Sequence, residues 1–191
     1  MRYKHALSAG ALALAVVLTG CSDNPDSSSE SGSSSTVKDF NKTDVRFAQD
    51  MIPHHRQAVE MAELAKTRSA DPKVKKLAEQ IAGAQDPEIE TMAGWLKDWD
   101  QKVPSDHSGM DMSSSMPGMM STEDMTKLKA AAGAVFDAQF LTMMAAHHKG
   151  AIEMAKTEQS DGKYVEAVAL AKQIESAQTG EIKTIESLLQ S

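Results

Sequence analysis

The chain is short of four things: cysteine, positive charge, long apolar runs and strand-like alternation. Its single cysteine, Cys21, can form no disulfide within the chain and no thiolate metal cluster. Lys and Arg number 20 against 27 Asp and Glu, a formal charge of −7 that argues against nucleic acid and favours attraction of cations to the surface. The main apolar stretch, from Ala6 to Val17, is too short to cross a bilayer as a helix. Few β-branched clusters and almost no period-two alternation leave little basis for strands, so the fold expected is all-α. No serine stands in a motif that would activate it as a nucleophile, which argues against covalent catalysis.

What is present begins with an export signal over residues 1–20. Arg2 and Lys4 supply the charged start, the apolar stretch follows, and Leu18-Thr19-Gly20-Cys21 ends it. That tetrapeptide resembles the bacterial lipoprotein signal, which implies lipid on Cys21 as the mature N-terminus. Removal of residues 1–20 takes away two cations and no anion, so the charge deepens from −7 to −9. Residues 21–38 then read as the lipidated cysteine and a serine-rich tether that can bury nothing. About 150 residues remain, enough for one compact core.

Within that remainder a phrase is written twice. Met51-Ile52-Pro53-His54-His55-Arg56-Gln57-Ala58-Val59-Glu60-Met61-Ala62 returns 93 positions later as Met144-Ala145-Ala146-His147-His148-Lys149-Gly150-Ala151-Ile152-Glu153-Met154-Ala155. At the same offset Asp44 and Phe47 match Asp137 and Phe140, and Leu77, Ile81, Gln85, Glu88 and Ile89 match Leu170, Ile174, Gln178, Glu181 and Ile182. A repeated unit of about fifty residues is too long for one helix and suits a helix hairpin.

Two hairpins make a four-helix bundle over residues 39–191. Repeat one covers 41–100. Its first helix starts at Asn41 or Thr43 and runs to Arg68, and Asp71-Pro72 opens a second that runs to Asp100 with Leu77, Ile81, Ala84, Glu88, Met92 and Trp95 inward. A loop rich in Met, Ser, Gly and Pro spans 103–121. Repeat two covers 122–190, with a third helix running unbroken from Thr122 to Glu158, a turn at Asp161-Gly162, and a fourth helix ending at Leu189.

Imidazole and thioether bind soft and borderline transition metals, so the duplicated His and Met unit points to a metal site. His54 and His147 fall on apolar stripes, and an antiparallel hairpin sets them level with Gln85 and Glu88, and with Gln178 and Glu181. Those four residues are the expected partners that orient the ligands from behind. Met51 lies one turn before His54, whereas Met61 lies two turns after it and would serve a neighbouring ion. His55 and His148 fall at the stripe edge, facing an adjacent helix or solvent. Met92 and Met125 read as core filler. In the loop, His107, Met110, Met112, Met116, Met119 and Met120 lack apolar partners, and exposed thioethers on a flexible chain suit Cu(I).

Phe-x-x-x-Met-x-x-His-His-x-x-Ala-x-x-Met, followed downstream by Gln-x-x-Glu-Ile, resembles the bacterial exported family catalogued as domain of unknown function three hundred and five. The resemblance covers Asp44 to Leu189. It implies a ferritin-like four-helix fold and, because some members bind copper, copper ligation by His54, His55, Met51, Met61, His147, His148, Met144 and Met154. Ala146 in place of Pro53, and Gly150 in place of Gln57, imply that the two halves need not bind equally.

The function expected is an extracytoplasmic, membrane-anchored protein that sequesters or transfers copper, as Cu(I) with Cu(II) a second state, without turnover. Its partners would be copper ions, the membrane through the lipid on Cys21, and a protein that loads or unloads the metal. The alternatives are a di-iron or di-manganese carboxylate enzyme and a metal-free structural lipoprotein. The enzyme wants Glu-x-x-His pairs, which are missing near Glu88 and Glu181.

Overall fold

The computed structural model describes residues 39–105 and 116–191. The signal segment, Cys21, the tether, and His107, Met110 and Met112 of the loop lie outside these. Five helices follow in order: α1 (Lys42–Arg68), α2 (Pro72–Asp98), α3 (Thr122–Ala130), α4 (Gly133–Asp161) and α5 (Val165–Leu189). α1 pairs with α2 and α4 with α5, and the two hairpins meet chiefly through α1 against α4. The four long helices are the expected bundle.

Helix starts follow local chemistry. Asn41 caps α1 by accepting from the amides of Thr43 and Asp44, while the Asp44 carboxylate reaches back to the Asn41 amide. Asp71 caps α2 with proline next in the chain, and Ser121 caps α3 through the Asp124 amide. The expected continuous third helix breaks instead. Ala131 and Ala132 are extended, Gly133 takes φ +63°, and Arg68 Nη1 donates to the Ala131 carbonyl at 3.3 Å. Alanine favours helix, so the one local mark of the break is Gly133; the contact to α1 is tertiary. α3 seats Met125 and Leu128 in the core as a short lid.

The inward stripe of α2 also differs from expectation. Ala84 is exposed and Trp95 half-buried, while Ala78, Gln85, Leu96 and Trp99 are buried. The buried face is wider than one i, i+4 row because α2 is covered by the neighbouring helix and by the chain's few aromatics. Phe40 stacks on Trp99 at 4.7 Å between ring centroids, and Tyr164 meets Trp99 edge-on at 5.1 Å.

The repeated aspartates lock the hairpins to each other. Asp44 Oδ1 accepts from the amides of Lys163 and Tyr164, both at 2.9 Å, just before α5. Asp137 Oδ2 accepts from Ala70 and Asp71 at 3.1 and 3.0 Å, just before α2. Each hairpin's first helix therefore caps the turn of the other, and the offset of 93 holds on both sides of the exchange. Asp137→Ala should destabilise the bundle by about 2–3 kcal/mol, because charge-assisted bonds to two amides are lost and those amides stay partly buried. Thermal unfolding checks this, and an unchanged Tm would reduce the exchange to a geometric coincidence.

Two apolar cores fill the bundle. One gathers Ala58, Met61, Ala65, Leu77, Ile81, Phe136, Phe140 and Met144 with Met125 and Leu128. The other gathers Phe47, Met51, Ile52, Met92, Leu96, Ala151, Leu170 and Ile174. α1 and α4 run antiparallel, since the C-terminal half of one shares a core with the N-terminal half of the other. A polar layer separates the two cores. It holds the four paired histidines.

Candidate metal centre

His54, His55, His147 and His148 are all fully buried. Pro53 sits inside α1 and Pro87 inside α2, yet both helices run on through this level. The rings of His54 and His147 lie 3.7 Å apart between centroids, tilted by 35°, where α1 crosses α4. The two residues most equivalent in the repeat thus meet face to face at the centre. The structure brings together what the sequence places 93 residues apart.

Of the two surroundings expected for the flanking histidines, an adjacent helix or solvent, the structure gives the helix. His55 and His148 are not at an exposed edge: they point inside each hairpin. His55 Nε2 donates to Glu88 Oε2 at 2.7 Å, and His148 Nε2 lies 2.7 Å from Glu181 Oε2. The carboxylates expected beside His54 and His147 therefore partner the next residue in each pair. An error of one residue in helical register, 100° of rotation, accounts for it. Gln85 and Gln178 are buried in the same layer, each with its amide oxygen unpartnered.

Hydrogen bonding fixes two tautomers. The Pro117 carbonyl lies 3.1 Å from His54 Nε2, so that nitrogen carries the proton and Nδ1 presents its lone pair. Glu88 does the same for His55. Among the described residues, Nδ1 of His54, His55 and His148 and both ring nitrogens of His147 lack a hydrogen-bond partner. Each buried, unpaired polar atom costs about 1–3 kcal/mol. Apolar packing gives no reason to maintain such a layer, whereas unpaired imidazole lone pairs are what a metal ion needs.

Electrostatics keep those lone pairs free of protons. Burial, then the charge that His55 would carry, pushes His54 down to about 3, and burial followed by the neighbouring imidazoles holds His147 well below the ordinary histidine range. Both rings remain neutral far below pH 6.5. Proton competition for these two ligands is correspondingly shifted to low pH.

The methionines divide by level. Met51 and Met144 are fully buried, one turn from His54 and His147 respectively. Met61, also buried, and Met154, half-buried, lie seven residues from those histidines, about 10 Å along the axis, and are too far to share their ion. Among the described residues, no group of three His, Cys, Asp or Glu side chains is placed to hold one metal ion. Two facing imidazoles with a thioether one turn away from each instead suit a soft ion of low coordination number.

The end of the long loop is built into this centre, which the sequence alone did not indicate. Met116 is buried, and Met119 and Met120 are half-buried, with Met120 packed on a core; these three thioethers are not exposed on the chain as expected of Cu(I)-capturing loop residues. Both described ends of the loop are tied to α1. Gln49 Nε2 donates to the Lys102 carbonyl at 2.9 Å, Arg56 Nη1 to Pro104 at 2.9 Å, and Gln57 Nε2 to Met120 at 2.9 Å. A cleft of about 570 Å³ opens beside the centre, lined by Phe47, Asp50, Met116, Pro117, Met154 and Glu158 among others.

Glu158 at that cleft has no counterpart in the first repeat, where Ala65 stands. It is fully buried, no donor reaches either of its oxygens by ordinary geometry, and a Cβ on Gly162 would lie 2.3 Å from its Oε1. Burial first, then the Asp44 carboxylate beside it, pushes the Glu158 carboxyl up to about 9. Burial alone would raise Asp44 also, but the proton held by Glu158 and three backbone amides outweigh it, and Asp44 ends below the usual range. The pair shares one proton, kept on Glu158.

Comparison with known proteins agrees with this architecture. A Streptomyces coelicolor DUF305 protein described as secreted is 34% identical, with 77% of this chain and 91% of that one covered at a TM-score of 0.70. A DUF305 fragment from Deinococcus radiodurans is 31% identical over 78% and 97%, at a TM-score of 0.71. CopM in its Cu(I)-bound form is 32% identical over 78% and 97%, at a TM-score of 0.64, and CopM has also been solved with Cu(II) and with silver. No match was found among curated proteins. The family model described as domain of unknown function, DUF305, matches residues 44–189, both histidine pairs included, and the chain belongs to that family.

Proposed function

We propose that the protein binds copper outside the cytoplasm, held at the membrane by lipid on Cys21, and that it sequesters or hands on the ion without turnover. The observation that carries this is the facing His54–His147 pair, fully buried with unpartnered ring nitrogens, in a fold shared with a relative solved with both copper states. Copper here is cargo. Imidazole nitrogens of His54 and His147 and the thioethers of Met51 and Met144 would hold it, and His55 and His148, oriented by Glu88 and Glu181, border the same layer. His107, Met110, Met112, Met116, Met119 and Met120 would collect Cu(I) ahead of the bundle, with Met116 at the cleft. Among the described residues no helix is long and apolar enough to cross a membrane.

Metal analysis of the protein as isolated, then after titration with Cu(I) under reducing conditions and with Cu(II), tests the reading. At least one tightly held copper per chain is expected. Iron or manganese retained through purification and resistant to copper would overturn it. Incorporation of labelled fatty acid, lost in Cys21→Ser, tests the anchor.

A further inference from the structure

We propose that Gln57 and Gly150 are positioning residues for the ion. They hold the strap Met116–Met120 so that the Pro117 carbonyl fixes His54 as its Nε2–H tautomer and leaves Nδ1 for copper. The proposal rests on the copper function above and assigns that site an asymmetry. Residues 57 and 150 occupy the same place in the two repeats, yet one is a long amide and the other has no side chain.

Both differences serve the strap. Gln57 grips Met120 at two points: its Nε2 donates to the Met120 carbonyl at 2.9 Å, and its Oε1 accepts from the Met120 amide at 2.7 Å. Across the groove, a Cβ on Gly150 would lie 2.0 Å from the Pro117 carbonyl oxygen and 2.7 Å from the Gly118 nitrogen. Those are backbone atoms, so the strap could not stay in place over any larger residue. Gly118 completes the fit. It takes φ +76°, and a Cβ there would meet the carbonyls of Ala146 and His147 at 2.8 and 2.9 Å.

With the strap so placed, the Pro117 oxygen reaches His54 Nε2 at 3.1 Å. A ligating imidazole ordinarily donates its other N–H to a carbonyl or carboxylate, which fixes ring and tautomer and raises ligand basicity. Glu88 fills that role for His55, and Glu181 stands beside His148. The strap fills it for His54, while no strap carbonyl or carboxylate among the described residues fills it for His147, which lies against the His54 backbone instead. The repeat therefore yields two imidazoles with different backing, one held by the strap and one not, rather than two equal sites.

The test uses metal-free, nitrogen-15-labelled protein, in which imidazole correlation spectra report each tautomer, together with Cu(I) titration against a competing chelator. Wild type should show His54 wholly as Nε2–H. Gly150→Ala, which displaces the strap, should mix the His54 tautomers, leave His55 unchanged, and weaken Cu(I) binding about ten- to a hundred-fold. Gln57→Ala should move both readouts the same way and, being half-buried, tests the idea even where Gly150→Ala folds poorly. Gly83→Ala, at an exposed glycine with no atom within 4 Å of its Cβ, is the control and should match wild type. A wild-type His54 tautomer in the strap variants, or wild-type Cu(I) affinity despite a changed tautomer, would overturn the proposal. Unchanged copper binding in His54→Ala would instead sink the copper site, and the metal-free spectra would still decide the strap.

Discussion

Replacing both His54 and His147 by Ala is expected to empty the bundle of copper while leaving its helices in place. The two rings form the centre of the polar layer, and each contributes a lone pair that no hydrogen bond uses. Loss of both donors should exceed the roughly ten- to hundred-fold weakening that follows loss of an orienting partner. Stability should suffer less than for an apolar core pair. Truncation opens a cavity, but it also removes buried atoms that lacked partners. Copper stoichiometry and helical circular dichroism on the same sample check this. Retained stoichiometry would show the pair to be structural, and collapse of the helical signal would mark it as core.

The second large effect concerns pH. Glu158 keeps its proton in the fold up to about 9, whereas in the unfolded chain it loses it near 4.5. Between those values the native state binds more protons than the unfolded one, so this group's contribution to stability falls steadily as pH rises. Asp44 acts in the opposite sense and at lower pH: its depressed value stabilises the fold above about 4 and loses that effect in acid. Glu158→Gln keeps a donor toward Asp44 and removes the ionisation. It should raise Tm at pH 8 by about 5 °C, on the order of 2 kcal/mol, and flatten the alkaline side of the profile. At pH 4.5 the variant and wild type should nearly coincide. A parallel pair of profiles, offset equally at every pH, would mean that the Glu158 proton is not linked to folding.

How much of this was legible in the sequence depends on how far apart the responsible residues lie. Asn41, Asp71-Pro72 and Ser121 announce their helix starts because a cap and its amides sit within three residues. The break at Ala131-Ala132 is marked locally only by Gly133, since alanine favours helix and the residue that holds the break, Arg68, is on α1. His54 could be placed on the inner face by period alone, but a register one residue off gave its carboxylate to the wrong imidazole. Asp44 and Asp137 stood out as a repeated pair, with no local sign that each would cap the other hairpin's turn. Glu158 was invisible as a special group, because only burial against Asp44 distinguishes it from any exposed glutamate.

By itself the sequence determined the bundle, its duplication, the soft character of the donors and the family, because periodicity, offset and residue chemistry are properties of the chain. Only the tertiary structure decided that His54 faces His147, that the loop's end orients one of them, and that Glu158 is buried against Asp44. Each of those facts depends on the rotation of one helix against another and on what is left without water. A rotation of 100° or a shift of a few ångströms changes the partner of a buried polar atom without changing the hydrophobic pattern at all.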